Sequence, residues 1–204
     1  MFSYPWANRQ RSYVVNRDGN DGPWSSFAIQ VGTPSQKIKV FAATSGWETM
    51  AVMPGGCIAS DPSTCEGDRG GFYQPNSSST WSKNIETLQT NIYPIGVDER
   101  LGYKGKASLG FDNIALGWPG SGGPELKNQT VGGFITKDHY LGFFGLTPRA
   151  ANFTSFDHPI PSFVQNLVSQ TKIPSTSWSY TAGNQYRKNT QILGVSNLIK
   201  FRSQ

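Results

Sequence analysis

The sequence predicts an all-β, mostly antiparallel protein, and three observations carry that prediction. Short apolar or alternating runs recur along the chain, each bounded by Gly, Pro, Asn or Asp. Charged residues make up 15% of the sequence while 23 Gly and 13 Pro supply turn positions, a balance that suits short strands joined by turns. No helix-length pattern separates neighbouring runs, which argues against βαβ units. A chain of 204 residues can bury the core of one large domain.

Taken in order, the strand candidates are SYVV (12–15), SSFAIQVG (25–32), KIKVFAA (37–43), TMAVM (49–53), ASLGF (107–111) and NIALG (113–117). They continue with VGGFIT (131–136), YLGFFGL (140–146), SWSYTA (177–182) and TQILGV (190–195). The one helix candidate is PSFVQNLVSQTKIP, with the helix near 162–171. Ser162 can cap its free amides, Phe163, Val164, Leu167 and Val168 share a face at helical spacing, and Pro174 bars continuation. RGGFYQPNSSSTWSKN (69–84) reads as a surface excursion and 152–161 as a loop.

The net charge of +5 is scattered from Arg9 to Arg202, with no run longer than Arg187-Lys188, so no basic stripe for nucleic acid is visible. No apolar stretch of about 18 residues is present to span a membrane. Residues 1–30 lack a basic segment followed by an apolar core, so no signal peptide is expected within them, and incomplete ends are the favoured explanation. Cys57 and Cys65 stand in the turn-rich stretch GCIASDPSTCEGD, with no third Cys or nearby His to complete a metal site, and a local disulfide is the natural reading. N-x-[ST] triplets begin at Asn76, Asn128 and Asn152. With the cysteines they point to the secretory pathway, either extracellular or vacuolar.

Generic catalytic motifs fail. GWPGSGGP (117–124) has neither the Lys of a phosphate loop nor a following helix, and Pro119 breaks the G-x-S-x-G pattern, so it reads as a turn. His139 and His158 are the only histidines and read as loop or surface residues. No cofactor and no metal are expected.

The ordered set of segments is more specific. FAIQVGTPSQKIKVF, the Cys pair, RGGFYQPNSSSTW, GYKGKASLGFDNIALG, LGFFGL and PSFVQNLVSQTKIPSTSWSYTAGNQYR together resemble the N-terminal lobe of fungal pepsin-like aspartic proteases, from about Trp24 to Gly194. The resemblance implies a single pepsin-like lobe over 24–194, an N-terminal extension over 1–23, and a divergent tail over 195–204 in place of a C-terminal lobe. The family's chemistry needs two carboxylates close enough to share a proton, one from each lobe, each in a D-[ST]-G-[ST] turn after a strand. Here that turn corresponds to Ala43-Thr44-Ser45-Gly46, which has no aspartate and reverses the last Ser and Gly. Met50 replaces the usual Trp, and no Asp elsewhere begins a D-[ST]-G triplet.

The resemblance therefore implies a truncated, catalytically inactive endopeptidase homologue, whose pairing into dimers would restore no carboxylate. Tyr103 corresponds to the flap tyrosine over the substrate groove, in a hairpin with a trimmed tip. Asp112, Gly117, Gly142 and Gly145 read as turn and close-packing residues, and Glu48, just past the turn, is expected to point to solvent. Partners expected on this reading are a peptide or protein ligand in the residual groove, or a missing C-terminal lobe. Alternatives are a peptide-, glycan- or enzyme-binding module, marked by an exposed aromatic patch around Trp47, Trp81 or Trp118, and a fragment of a longer protease-like protein.

Overall fold

A computed structural model of the protein describes residues 13–16, 26–83, 92–95, 105–150, 159–181 and 198–201. Its strands in chain order are β1 (Tyr13–Asn16), β2 (Ser26–Val31), β3 (Gln36–Ala43), β4 (Thr49–Val52), β5 (Ile92–Pro94), β6 (Lys106–Leu116), β7 (Glu125–Phe134), β8 (Gly142–Gly145), β9 (Trp178–Thr181) and β10 (Leu198–Phe201). Two short helices, α1 (Cys65–Asp68) and α2 (Phe163–Ser169), accompany them. The fold is all-β, as the composition and patterning predict.

Seven strands form one sheet in the order β2-β3-β8-β4-β7-β6-β5, and β2 also pairs with β6 through Ile29–Leu116 and Val31–Ile114. That pairing closes β2, β3, β8, β4, β7 and β6 into a barrel and removes the open edges that such strands would otherwise expose. Most pairings are antiparallel, but β3 runs parallel to β8 and β4 runs parallel to β7. A separate sheet of order β1-β10-β9 stands beside the barrel. Residues 195–204, expected to be a divergent tail, thus contribute Leu198–Phe201 as the central strand of that second sheet.

The strands form where their side chains can be divided between core and surface. In β3, Ile38 and Val40 are buried while the flanking lysines are not, the period-two pattern of a half-buried strand. In β4 all four residues are buried, because the strand lies between β7 and β8. One apolar cluster, including Ile29, Val40, Leu126 and Phe144, fills the barrel and extends under α2. Each such side chain contributes about 1.5–3 kcal/mol on burial.

Helix α2 follows its sequence signals closely. The Ser162 hydroxyl accepts from the Gln165 amide, and the Gln165 side chain accepts from the Ser162 amide, which makes a complete capping box. Phe163, Val164 and Leu167 are buried, and the Phe163 ring meets Phe144 edge-on with centroids 4.8 Å apart. The helix ends before Pro174 acts. Thr171 adopts φ 54°, and the Lys172 amide folds back onto the Leu167 carbonyl at 2.8 Å.

Other departures have local causes. ASLGF and NIALG are one continuous strand, β6, with an irregularity between Asp112 and Ile114 where the two predicted strands adjoin. β5 and α1 have too little apolar pattern to stand out. The stretch 69–84 is no simple surface excursion. Tyr73, Pro75 and Ser78 are buried, and the Tyr73 hydroxyl donates to Asp112 Oδ2 at 2.8 Å. The candidate strand 190–195 lies outside the described residues.

Candidate functional site

The loop at 43–48 is held by the end of β8. The Leu146 amide donates to the Ala43 carbonyl at 2.9 Å, the Thr147 amide to the Gly46 carbonyl at 3.1 Å, and the Gly145 amide to the Glu48 carbonyl at 3.1 Å. β8 is therefore inserted between β3 and β4, pairing parallel with one and antiparallel with the other. The glycines of GFFG are what allow this approach. A Cβ on Gly142 would lie 2.2 Å from the Met50 carbonyl oxygen, and one on Gly145 would lie 2.7 Å from Gly46 O and 2.8 Å from Glu48 O. Gly117, by contrast, serves a turn with φ 81°.

This threading opens a cleft of about 400 Å³ beside the loop. Ala43, Ser45 and Gly46 form one wall; Tyr93 and Ile95, from β5 and its end, form another; His139 and Phe143 complete it. Residues 43–46 bring no carboxylate to that wall. Trp47 is 41% exposed at the cleft.

Glu48 overturns its sequence reading. It is 8% exposed rather than solvent-facing, and it lines the cleft. Its Oε2 is buried with no hydrogen-bond partner among the described residues. Burial pushes its carboxyl above the ordinary carboxylate range, and the backbone amides of Glu48 and Trp47 pull it only part of the way back. The neighbouring Tyr93 phenol is also raised, first by burial and then by the Glu48 charge. The misreading has a tertiary cause: β4 is buried on both faces, so the residue that enters it is drawn inside.

The far side of the cleft rests on another buried charge that the sequence did not single out. Arg69, 4% exposed, donates to the carbonyls of Gly56 at 2.6 Å, Thr136 at 2.7 Å, His139 at 2.6 Å and Tyr140 at 3.2 Å. Three of these four acceptors lie in 136–140, so Arg69 ties that loop to Gly56 and positions His139 on the cleft wall. An Arg just after the Cys pair was the only available sign, and nothing in its sequence neighbourhood marks it as buried.

The remaining predicted residues do not converge on the cleft. Cys57 and Cys65 form a disulfide with Cα atoms 6.2 Å apart, beside Asp61, so neither sulfur is available as a thiolate ligand. Asn76 and Asn128 are exposed, on a 3-10 turn and on β7. Tyr103, Asn152 and His158 lie outside the described residues. Trp81 packs edge-on against Tyr73 at 5.8 Å, and Lys37 Nζ sits 3.0 Å from the centre of the Trp118 ring. The three tryptophans thus form no common patch, and Trp47 alone faces the cleft. Among the described residues no helix is long and apolar enough to cross a membrane.

No protein-family model matches the chain, and no curated protein does.

Proposed function

We propose that the chain is a pepsin-like lobe that binds extended polypeptide in this cleft without hydrolysing it. The observation that carries the reading is the loop at 43–46. It follows β3, is laced to the FFGL segment through Leu146 and Thr147, and presents a methyl group at Ala43 where a proton-sharing aspartate would be needed. The ordered sequence segments that resemble the pepsin-like lobe support the same reading, as does the all-β barrel that carries them. Without a carboxylate at Ala43 the 43–46 loop contributes nothing to a shared-proton dyad, whatever a second lobe supplies.

The cleft keeps the features a polypeptide needs. It is open, has aromatic and aliphatic walls from Trp47, Tyr93, Ile95 and Phe143, and has β5 at its side. A secretory location fits the Cys57–Cys65 disulfide and the exposure of Asn76 and Asn128.

Two measurements test the proposal. Hydrolysis of a broad-specificity chromogenic peptide between about pH 2 and 7 should be undetectable, since losing one member of a catalytic unit costs on the order of a million-fold. Turnover blocked by a statine-type inhibitor would sink the reading. Titration with a pool of unstructured peptides should shift the Trp47 fluorescence, and no shift at millimolar peptide would remove the binding half of the proposal.

A further inference from the structure

The cleft holds one carboxylate, Glu48, among its described lining residues, and no Lys or Arg. That carboxylate is more than nine-tenths buried, and one of its oxygens has no donor among the described residues. A buried polar atom of this kind costs stability unless something completes its hydrogen bonding. The walls around it are aromatic: Trp47 precedes it in the loop, Tyr93 faces it from β5, and Phe143 reaches the cleft from β8. Aromatic faces attract organic cations through the ring quadrupole, and a carboxylate beside them adds a charge-assisted acceptor.

We propose that the cleft is a site for an alkylammonium group, the side chain of a lysine on a bound polypeptide, with Glu48 as its counter-ion and Trp47, Tyr93 and Phe143 as its aromatic walls. The identification of the carrier as polypeptide rests on the function proposed above; the ammonium site itself does not. The ammonium enters from the cleft and pairs with the Glu48 carboxylate, whose sealed Oε2 is reached by a rotation of the side chain toward the cleft, and its alkyl stem lies along Ile95 and the rings. A neutral hydrogen-bonding ligand would instead use the protonated acid, and the two cases have opposite pH dependence. A cation requires ionised Glu48, so its affinity rises with pH through the Glu48 titration, which burial places above the ordinary carboxylate range. The other ionisable groups lining the cleft are Tyr93, on β5, and His139, on the loop before β8. The Tyr93 phenol, raised by burial, stays neutral and contributes no charge.

The experiment is calorimetric titration of the full chain with three peptides identical except for a central lysine, acetyl-lysine or norleucine, together with n-butylammonium alone, between about pH 4 and 8. The lysine peptide should bind about tenfold or more tightly than its two neutral counterparts at pH 7, lose that advantage toward pH 4, and lose it at every pH in Glu48→Gln. Equal affinities for lysine and norleucine would overturn the site while leaving peptide binding intact. Binding of butylammonium with no binding of any peptide would keep the site and remove the polypeptide reading. Preference for the neutral peptides, or tighter binding of the lysine peptide as pH falls, would replace the cation with a neutral acceptor ligand. If Glu48→Gln does not fold, the lysine and norleucine comparison in the unaltered protein decides alone.

Discussion

Asp112 and Glu48 are buried carboxylates of the same chain, 1% and 8% exposed, and their surroundings treat them in opposite ways. Asp112 receives the Tyr73 hydroxyl at 2.8 Å on Oδ2, and on Oδ1 the Thr80 hydroxyl at 2.5 Å and the Asn113 amide at 2.8 Å. Glu48 has only nearby backbone amides to favour its charge, and one of its oxygens has no partner among the described residues. Burial alone therefore does not tell a satisfied acid from an unsatisfied one. The distinction lies in whether the surroundings complete the hydrogen bonding, because the interior penalises an unsatisfied polar atom far more than it rewards a satisfied one.

The comparison can be broken most forcefully at Asp112. Replacing it with Ala strands the buried Tyr73 hydroxyl and removes the acceptor of the Thr80 hydroxyl and the Asn113 amide, and unfolding in urea should show a loss of about 2–4 kcal/mol. A loss of a few tenths would mean the network is not structural. Tyr73→Phe removes one hydrogen bond from the same acid while keeping the ring against Trp81, and should cost about 1–2 kcal/mol in the same assay. A larger cost would show that the ring contact depends on the hydroxyl.

The smallest effect is expected at Glu48, and its sign is opposite. Because burial raises the carboxyl in the folded state, the folded protein holds the proton more tightly than the unfolded chain, so stability falls as pH rises from the unfolded value through the raised one. Glu48→Gln should therefore unfold at a higher temperature than the unaltered protein at pH 7, and the difference should vanish below about pH 4, where both forms of the unaltered protein are protonated. Melting curves at the two pH values check this. A mutant less stable at neutral pH would show that the ionised acid has partners in the fold, and Glu48 would then belong with Asp112.

Much of the architecture was legible in the residues. The alternation in KIKV, most of the Gly- and Pro-bounded runs, and Ser162 at the start of α2 are local signals that match described elements, although ASLGF and NIALG form one strand. The disulfide was legible too, since its cysteines lie within one turn-rich stretch. The site was legible only in part. The lack of an acid in residues 43–46 is plain from the residues, but the sequence places Glu48 in solvent and carries no sign that Arg69 is buried.

By itself, the sequence determined the strand-rich class, the capped helix, the Cys57–Cys65 pairing and the absence of an acid from the 43–46 loop. These depend on near neighbours along the chain, whose propensities and spacings act before distant segments meet. Only the tertiary structure decided that β8 inserts between β3 and β4, that β2 closes on β6, that Leu198–Phe201 joins β1 and β9, and that Glu48 turns inward while Asp112 is satisfied. Those outcomes depend on contacts between residues far apart in sequence, such as Ala43 with Leu146 and Tyr73 with Asp112. A side chain's burial and hydrogen-bond partners exist only once the barrel has closed around it.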